Sequence, residues 1–276
     1  MRGNLSRNLL KGPGFTLLLA TALGGSLILV RLAAAAAASS CGGLPSHAAL
    51  KSILQTVVAG GNNGGLGNDM WATVVNRDGV VCAVVFTGAD RGSQWPGSRI
   101  ISAQKANTAN AFSRPGGVIG FAGALSTANL FAAVQPGGSL FGLQHSNPVD
   151  AELAYDGNSG NYGQPNDPLV GGKIGGVNVF GGGLALYNPG GALVGGLGVS
   201  GDTSCSDHII AWKVRHGLNL DNVPAGVSAT GDDNIIFSAL AGSLQAAFVH
   251  PNCSPVGDPK TIAENLPMTH PIGPNP

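Results

Sequence analysis

Residues 192–216, ALVGGLGVSGDTSCSDHIIAWKVRH, change character twice within one short stretch. Leu193 to Val199 is an apolar run of strand type, and it meets Ser200-Gly201 and a turn rich in Asp, Thr and Ser. A helical pattern follows at once, from Asp207 to His216, with Ser206 or Asp207 as N-cap, because such side chains accept from N–H groups that lack an intrahelical partner. Glycine at 201 lets the backbone turn sharply. The stretch reads as strand, tight turn, helix. Unpaired N–H groups at that junction suit an anion or a polar ligand edge. The alternative is a capped corner with no ligand.

The rest of the chain arranges itself around this unit. Ala48 to Ala59 carries apolar residues at 50, 53, 54, 57 and 58, which is helical spacing, and Gly60-Gly61 ends it. Trp71 to Val75 and Val80 to Thr87 are rich in β-branched residues, and Asn76-Arg77-Asp78-Gly79 between them signals a hairpin. The loop from Gly88 to Gly97 carries Arg91 and Trp95. Ser98 to Phe112 reads as a second helix capped by Ser98, with Ile101, Lys105 and Thr108 on one stripe. Ser126 to Val134 reads as a third, short helix capped by Ser126.

Residues 137–176 are mostly loop. A stretch of that length inside a domain is often functional, and otherwise it covers a sheet edge. Val177 to Phe180, Leu184 to Tyr187 and Leu193 to Val199 are strand-like, the last two joined by the turn Asn188-Pro189-Gly190-Gly191. Helical patterns follow at Asp207 to His216 and Asp233 to Val249, and the Pro-rich tail, 254–276, reads as extended. Hairpins dominate. The expected fold is α+β, an antiparallel sheet of about five strands flanked by helices.

Residues 1–38 resemble an export signal. Arg2, Arg7 and Lys11 form a basic start, Phe15 to Val30 an apolar stretch too short to span comfortably, and Ala36-Ala37-Ala38 a cleavage site before Ser39. An uncleaved anchor is the alternative. The expected organisation is a signal peptide at 1–38, a domain at 39–253 with the insertion at about 137–176, and the tail. Location would be periplasmic or extracellular, with no stable membrane span once processed. Removal of the leader takes four basic residues and no acid, leaving 10 basic against 14 acidic, which argues against a nucleic-acid partner. Cys41, Cys82, Cys205 and Cys253 remain. An even count in an exported chain suggests disulfides, with three possible pairings. Cys205–Cys253 would bracket the C-terminal helices and Cys41–Cys82 would pin the N-terminus to a strand. Free buried thiols are the alternative.

No phosphate-binding glycine loop, no G-x-S-x-G and no H-E-x-x-H occurs, so nucleotide, α/β-hydrolase and zinc-protease chemistries lack their signatures. Ser200 sits at a bend with Asp207 and His208 nearby, which leaves a small-molecule enzyme at 198–208 as one reading. His208, Trp212 and His216 share a helical stripe, but the outer two lie about 12 Å apart along the axis and cannot hold one ion. A single axial histidine to a haem iron, His208, is the candidate metal ligand. Arg99 has a planar fork suited to a carboxylate. Small neighbours around Lys105 and Thr108 would let a flat ligand approach the helix closely.

Ile100-Ile101-Ser102-Ala103-Gln104-Lys105-Ala106-Asn107-Thr108-Ala109, followed by Phe112, resembles the "SI..A..KA.TA..F" helix of the GlcG/HbpS-like family, the DUF336-type domain. Gly175 to Val179 and Leu193 to Gly201 resemble its "GG.P…G..VG.IGVSG" segment, and the resemblance covers about 46–216. It implies an antiparallel sheet with helices, a symmetric homo-oligomer, and binding of haem or a related tetrapyrrole, with Thr108 at the pocket and Lys105 beside it. Arg99, Ser200 and His208 complete the expected ligand-binding set, with no catalytic residue assigned and at most weak haem-linked redox activity. The insertion and the residues beyond about 217 depart from the family pattern, and no matched position supplies a histidine ligand. Beside haem binding and the enzyme reading stands a partner-binding protein that uses the long loop.

Overall fold

The computed structural model describes residues 41–116, 123–253 and 257–273. The proposed leader therefore lies outside the described residues. Helix α1, His47–Ala59, begins where the Ser46 hydroxyl accepts from the Ala49 N–H. Strands β1, Trp71–Asn76, and β2, Val81–Phe86, form the expected hairpin. Its turn is set by Asn76, whose Oδ1 accepts from the N–H groups of Asp78 and Val80, while Gly79 takes φ +75. Helix α2, Ser98–Phe112, matches the predicted span, but its N-cap is Gly97, and Ser98 is buried inside the first turn.

Strands β3, Gly183–Tyr187, and β4, Leu193–Ser200, complete a sheet of order β2-β1-β4-β3, antiparallel throughout. The sheet has four strands, not about five. Residues 177–180 bond to side chains instead of a neighbouring strand: the Asn178 N–H donates to Thr108 Oγ1, the Phe180 N–H to Asn178 Oδ1. Left-handed glycines at 175, 176 and 182 bracket that segment.

Helix α5 follows two short helices of the insertion, α3, Leu143–Ser146, and α4, Ala151–Tyr155; it spans Ser204–Gly217. It starts earlier than expected. Thr203 is the cap, accepting from the Ser206 N–H, so Ser206 and Asp207 lie inside the first turn. Ser126 does precede a helical turn, with its N–H and hydroxyl on Asn129 Oδ1, but the segment is two 3-10 turns, Thr127–Leu130 and Ala132–Val134. The helix expected at Asp233 to Val249 is absent apart from a 3-10 turn at Leu244–Phe248. Its opening residues are held by distant partners: Asp233 by Arg215 and Asn234 by the Ala263 carbonyl. The tail is not simply extended. Helices α6, Pro259–Glu264, and α7, Leu266–Thr269, bury Ala263 and Leu266.

Every position of β1 is buried, because helices cover both sheet faces. Ala72 and Val74 of β1 join Leu197 and Val199 of β4 in a core with Leu50 and Leu54 of α1 and Ile209 and Trp212 of α5. On the other face α2 lies directly on β4. A Cβ at Gly198 would stand 1.9 Å from the Ser102 carbonyl oxygen, and one at Gly196 2.2 Å from that of Ala106. Glycine at alternate positions, one face of a strand, allows this helix–strand contact. Beside it, the Thr73 hydroxyl of β1 bonds that of Ser102 on α2 at 2.8 Å.

The insertion is built onto this frame. Its Ala154, Leu169 and Ile174 are fully buried with Trp71, Val84 and Ile100. It also caps one end of β2, where Val81 exchanges backbone bonds with Gly171 and Gly172. At the opposite edge the Tyr187 N–H donates to the Leu220 carbonyl and the Gly183 N–H to Thr127 Oγ1. Disulfides Cys41–Cys82 and Cys205–Cys253 form the expected pairs.

Candidate functional site

The strand-turn-helix unit and α2 meet around a buried ion pair. Lys105 Nζ donates to Asp207 Oδ2 at 2.6 Å and to the Val199 carbonyl at 3.1 Å. The other Asp207 oxygen accepts from the Asp202 N–H at 2.9 Å. Burial pushes the Asp207 carboxyl up to about 6 and the Lys105 ammonium below its ordinary range, while their mutual attraction opposes both shifts. Asp202 in turn accepts from the N–H groups of Leu66, Asn68 and Thr203.

This arrangement answers the sequence expectation at 198–208. The N–H groups of Thr203, Cys205 and Ser206 point at Asp202, Cys253 Sγ and Thr203 Oγ1. The helix start is satisfied by the chain's own acceptors. Ser200 is buried and lies opposite Trp71 in the sheet. Thr108 is fully buried, donating to the Gln104 carbonyl and accepting from the Asn178 N–H. His208 is fully buried too. Its Nε2 accepts from the Ile235 N–H at 3.1 Å and lies 3.2 Å from Asn234 Oδ1, while its Nδ1 has no partner. Burial, aided by the Arg215 charge, drives it down to about 3, so the ring is neutral. Lys105, Thr108, Ser200 and His208 thus belong to the interior. The structure brings Lys105 together with Asp207 and the end of β4, and places His208 apart, against residues 234–235.

Arg99, of the expected set, lines an open cleft of about 600 Å³ among the described residues. One wall is the loop with Asp90, Arg91 and Pro96 and the start of α2; the other is the insertion, with Tyr155, Ser159 and Tyr162. Trp71 lies at the base of the strand side, edge-on to Phe86 at 5.1 Å, and its Nε1 is buried without a partner. Arg99 ties the walls together. Its guanidinium grips Asp167 through two nitrogens, donates to the Ala154 carbonyl at 2.9 Å and stacks 3.6 Å from the Tyr162 ring centroid. The Tyr162 hydroxyl donates to the carbonyls of Tyr155 and Asp156. The Tyr155 side chain is free of such bonds among the described residues, and the residue is 73 % exposed.

Sequence reasoning missed Tyr155, Tyr162 and Trp71. The visible signals were Arg91 in the opposing loop and the unusual length of the insertion. A second cleft, of about 490 Å³, is lined by the Asn- and Gly-rich stretch at 61–68 with Asp202 and Asp258. Cys205, His250 and Cys253 bring potential ligand atoms within 4.8 Å of one another, but both sulfurs are joined in the disulfide.

A family model described as haem degrading protein HbpS-like matches residues 46–215. No curated protein matches the chain significantly. Among solved structures, a PduOC–haem complex is 22% identical over 62% of this chain and 91% of that one, with a TM-score of 0.41. Klebsiella pneumoniae protein ORFY, of the DUF336 family, is 22% identical over 63% and 90%, with a TM-score of 0.40. HbpS is 16% identical over 62% and 86%, with a TM-score of 0.36.

Proposed function

The chain belongs to the HbpS-like family, and from that premise we propose that it is an exported protein that binds haem or a closely related tetrapyrrole and works as a homo-oligomer outside the cytoplasm. The family match over residues 46–215 carries the reading. The aromatic cleft supports it. A volume of about 600 Å³ falls in the range of cofactor pockets, and the rings of Tyr155 and Tyr162 are part of its lining. Arg91, exposed at the cleft, offers a cation to propionate groups. Arg99 enters the site as the residue that holds its two walls in place, since Asp167 already neutralises it. Bound haem would supply an iron centre open to small ligands or electron transfer.

The basic, apolar and small-residue order of 1–38 supports export, as do two disulfides that take up all four cysteines. No helix among the described residues is long and apolar enough to cross a membrane. Hemin titrated into the purified, disulfide-intact protein is expected to give a saturable Soret shift at one equivalent per subunit. Absence of saturation would reject the reading.

A further inference from the structure

We propose that Cys205, His250 and Cys253 form a redox-gated metal site: when the Cys205–Cys253 disulfide is reduced, its two thiolates and the His250 imidazole hold one zinc-type divalent cation. The site stands apart from the aromatic cleft and does not depend on haem binding.

Each of the three residues offers a ligand atom within 4.8 Å of the other two. Cysteine sulfur and histidine nitrogen are donors that zinc prefers, and a set of three leaves a fourth position for water. Two thiolates on one tetrahedral zinc stand about 3.8 Å apart. Rotation about the two Cα–Cβ bonds gives that opening across the 6.0 Å between the Cα atoms, with the backbone in place. His250 is set up as the third ligand. Its Nδ1 lies 2.7 Å from the Pro251 carbonyl oxygen, which can only accept, so Nδ1 carries the proton. The lone pair of the neutral ring is then on Nε2. Ser204 Oγ lies 3.3 Å from that nitrogen and 3.4 Å from Cys253 Sγ, so the nitrogen and the sulfur face the same hydroxyl. A metal-ligating histidine characteristically donates its other N–H to a carbonyl or carboxylate, which fixes tautomer and orientation. Pro251 fills that role here. The residue is 2 % exposed, its ring packs 5.0 Å from that of Phe131, and its backbone N–H donates to the Ile236 carbonyl at 2.7 Å.

The surroundings also favour thiolates. Cys205 lies in the first turn of α5, and its N–H donates to Cys253 Sγ at 3.2 Å. An amide donor and the positive end of a helix both stabilise an ionised thiol. Cys205 is fully buried while Cys253 is partly exposed, so a reductant meets the disulfide at Cys253. A dithiol supplies the two electrons: its thiols are oxidised to a disulfide, the Cys205–Cys253 bond breaks, and each sulfur takes a proton. On metal binding two S–Zn bonds and one N–Zn bond form, and both thiol protons leave to solvent. Reoxidation of the pair removes two of the three ligands and releases the ion. Disulfide and metal are therefore alternative states of one site.

The test uses cobalt(II) as the visible stand-in for zinc. It is titrated into the wild type and into a Cys41→Ser, Cys82→Ser variant, whose only thiols after phosphine reduction are Cys205 and Cys253. The reduced chains are expected to take up cobalt with thiolate-to-metal charge transfer and tetrahedral d–d bands, at one equivalent in the variant, and zinc should bleach both. The oxidised chains should show neither. Loss of an outer-shell partner alone typically weakens metal binding 10–100-fold, so adding His250→Ala should weaken binding at least about tenfold and shift the d–d bands. His250→Cys should restore tetrahedral binding with added thiolate charge transfer. Where reduction loosens the fold, near-UV circular dichroism should recover on adding zinc, because metal binding is then coupled to folding. A reduced chain with no cobalt–thiolate band would overturn the proposal. So would affinity and spectrum that His250→Ala leaves unchanged. Hemin enters none of these arms, so either failure leaves the haem reading standing.

Discussion

Replacing Gly198 with alanine puts the contact between α2 and β4 under direct test. The added methyl would stand 1.9 Å from the Ser102 carbonyl oxygen and 2.5 Å from the Ala106 nitrogen. Both are backbone atoms of a helix whose next turns also lie on the sheet, so no side-chain rotation relieves the overlap. Ordinary overpacking costs about 1–3 kcal/mol. With backbone on both sides the upper end applies, and about 3 kcal/mol is the expected loss. For a chain of this size that lowers Tm by roughly 6–12 °C. Gly97→Ala is the control, since a Cβ there meets nothing within 4 Å and its φ of −63 is already helical. It should be neutral or stabilising by up to about 1 kcal/mol. Urea unfolding of both, with the disulfides intact, reads the difference as a shift in midpoint at constant slope. A Gly198→Ala midpoint equal to that of Gly97→Ala would refute the claim that glycine is required for this approach.

Stability should fall on acidification below 6.5. There the unfolded chain takes up protons that His208, held at about 3, and His250, held at about 4, both mainly by burial, refuse in the folded state. The His208 contribution alone is on the order of 5 kcal/mol once pH is below both its values. Asp207 works the other way: its folded value of about 6 lies above 3.8, so it offsets part of the loss between those limits. Urea midpoints that stay level between about pH 7 and pH 4.5 would contradict this balance. Arg99→Lys removes the planar fork from buried Asp167 and should cost about 3 kcal/mol. It should also speed limited proteolysis within 137–176; an unaltered cleavage rate would mean that Arg99 does not hold the insertion in place.

What could be read from sequence was local. The β1–β2 hairpin declares itself through Asn76 and Gly79, whose turn chemistry needs no distant partner. Helix α2 declares itself through periodicity, and the strand before α5 through its apolar run. What could not be read depended on partners far along the chain. Asp233 and Asn234 look like a helix start, yet Arg215 and Ala263 claim their side chains. Thr108 and Lys105 look like a ligand-facing stripe because their neighbours are small. The small neighbours in fact let β4 come close, which buries the stripe. The aromatic cleft was invisible for the same reason, since its walls come from the loop at 90–97 and from the insertion at 155–162.

The chain itself fills part of each border of the sheet, with Gly171 and Gly172 at one end of β2 and Leu220 and Thr127 at positions along β3. An open border offers unpaired N–H and carbonyl groups to any passing extended chain, a route to runaway polymerisation. At those positions a newcomer would first have to evict a covalently attached competitor. Any assembly there would have to use side-chain surfaces rather than a shared strand.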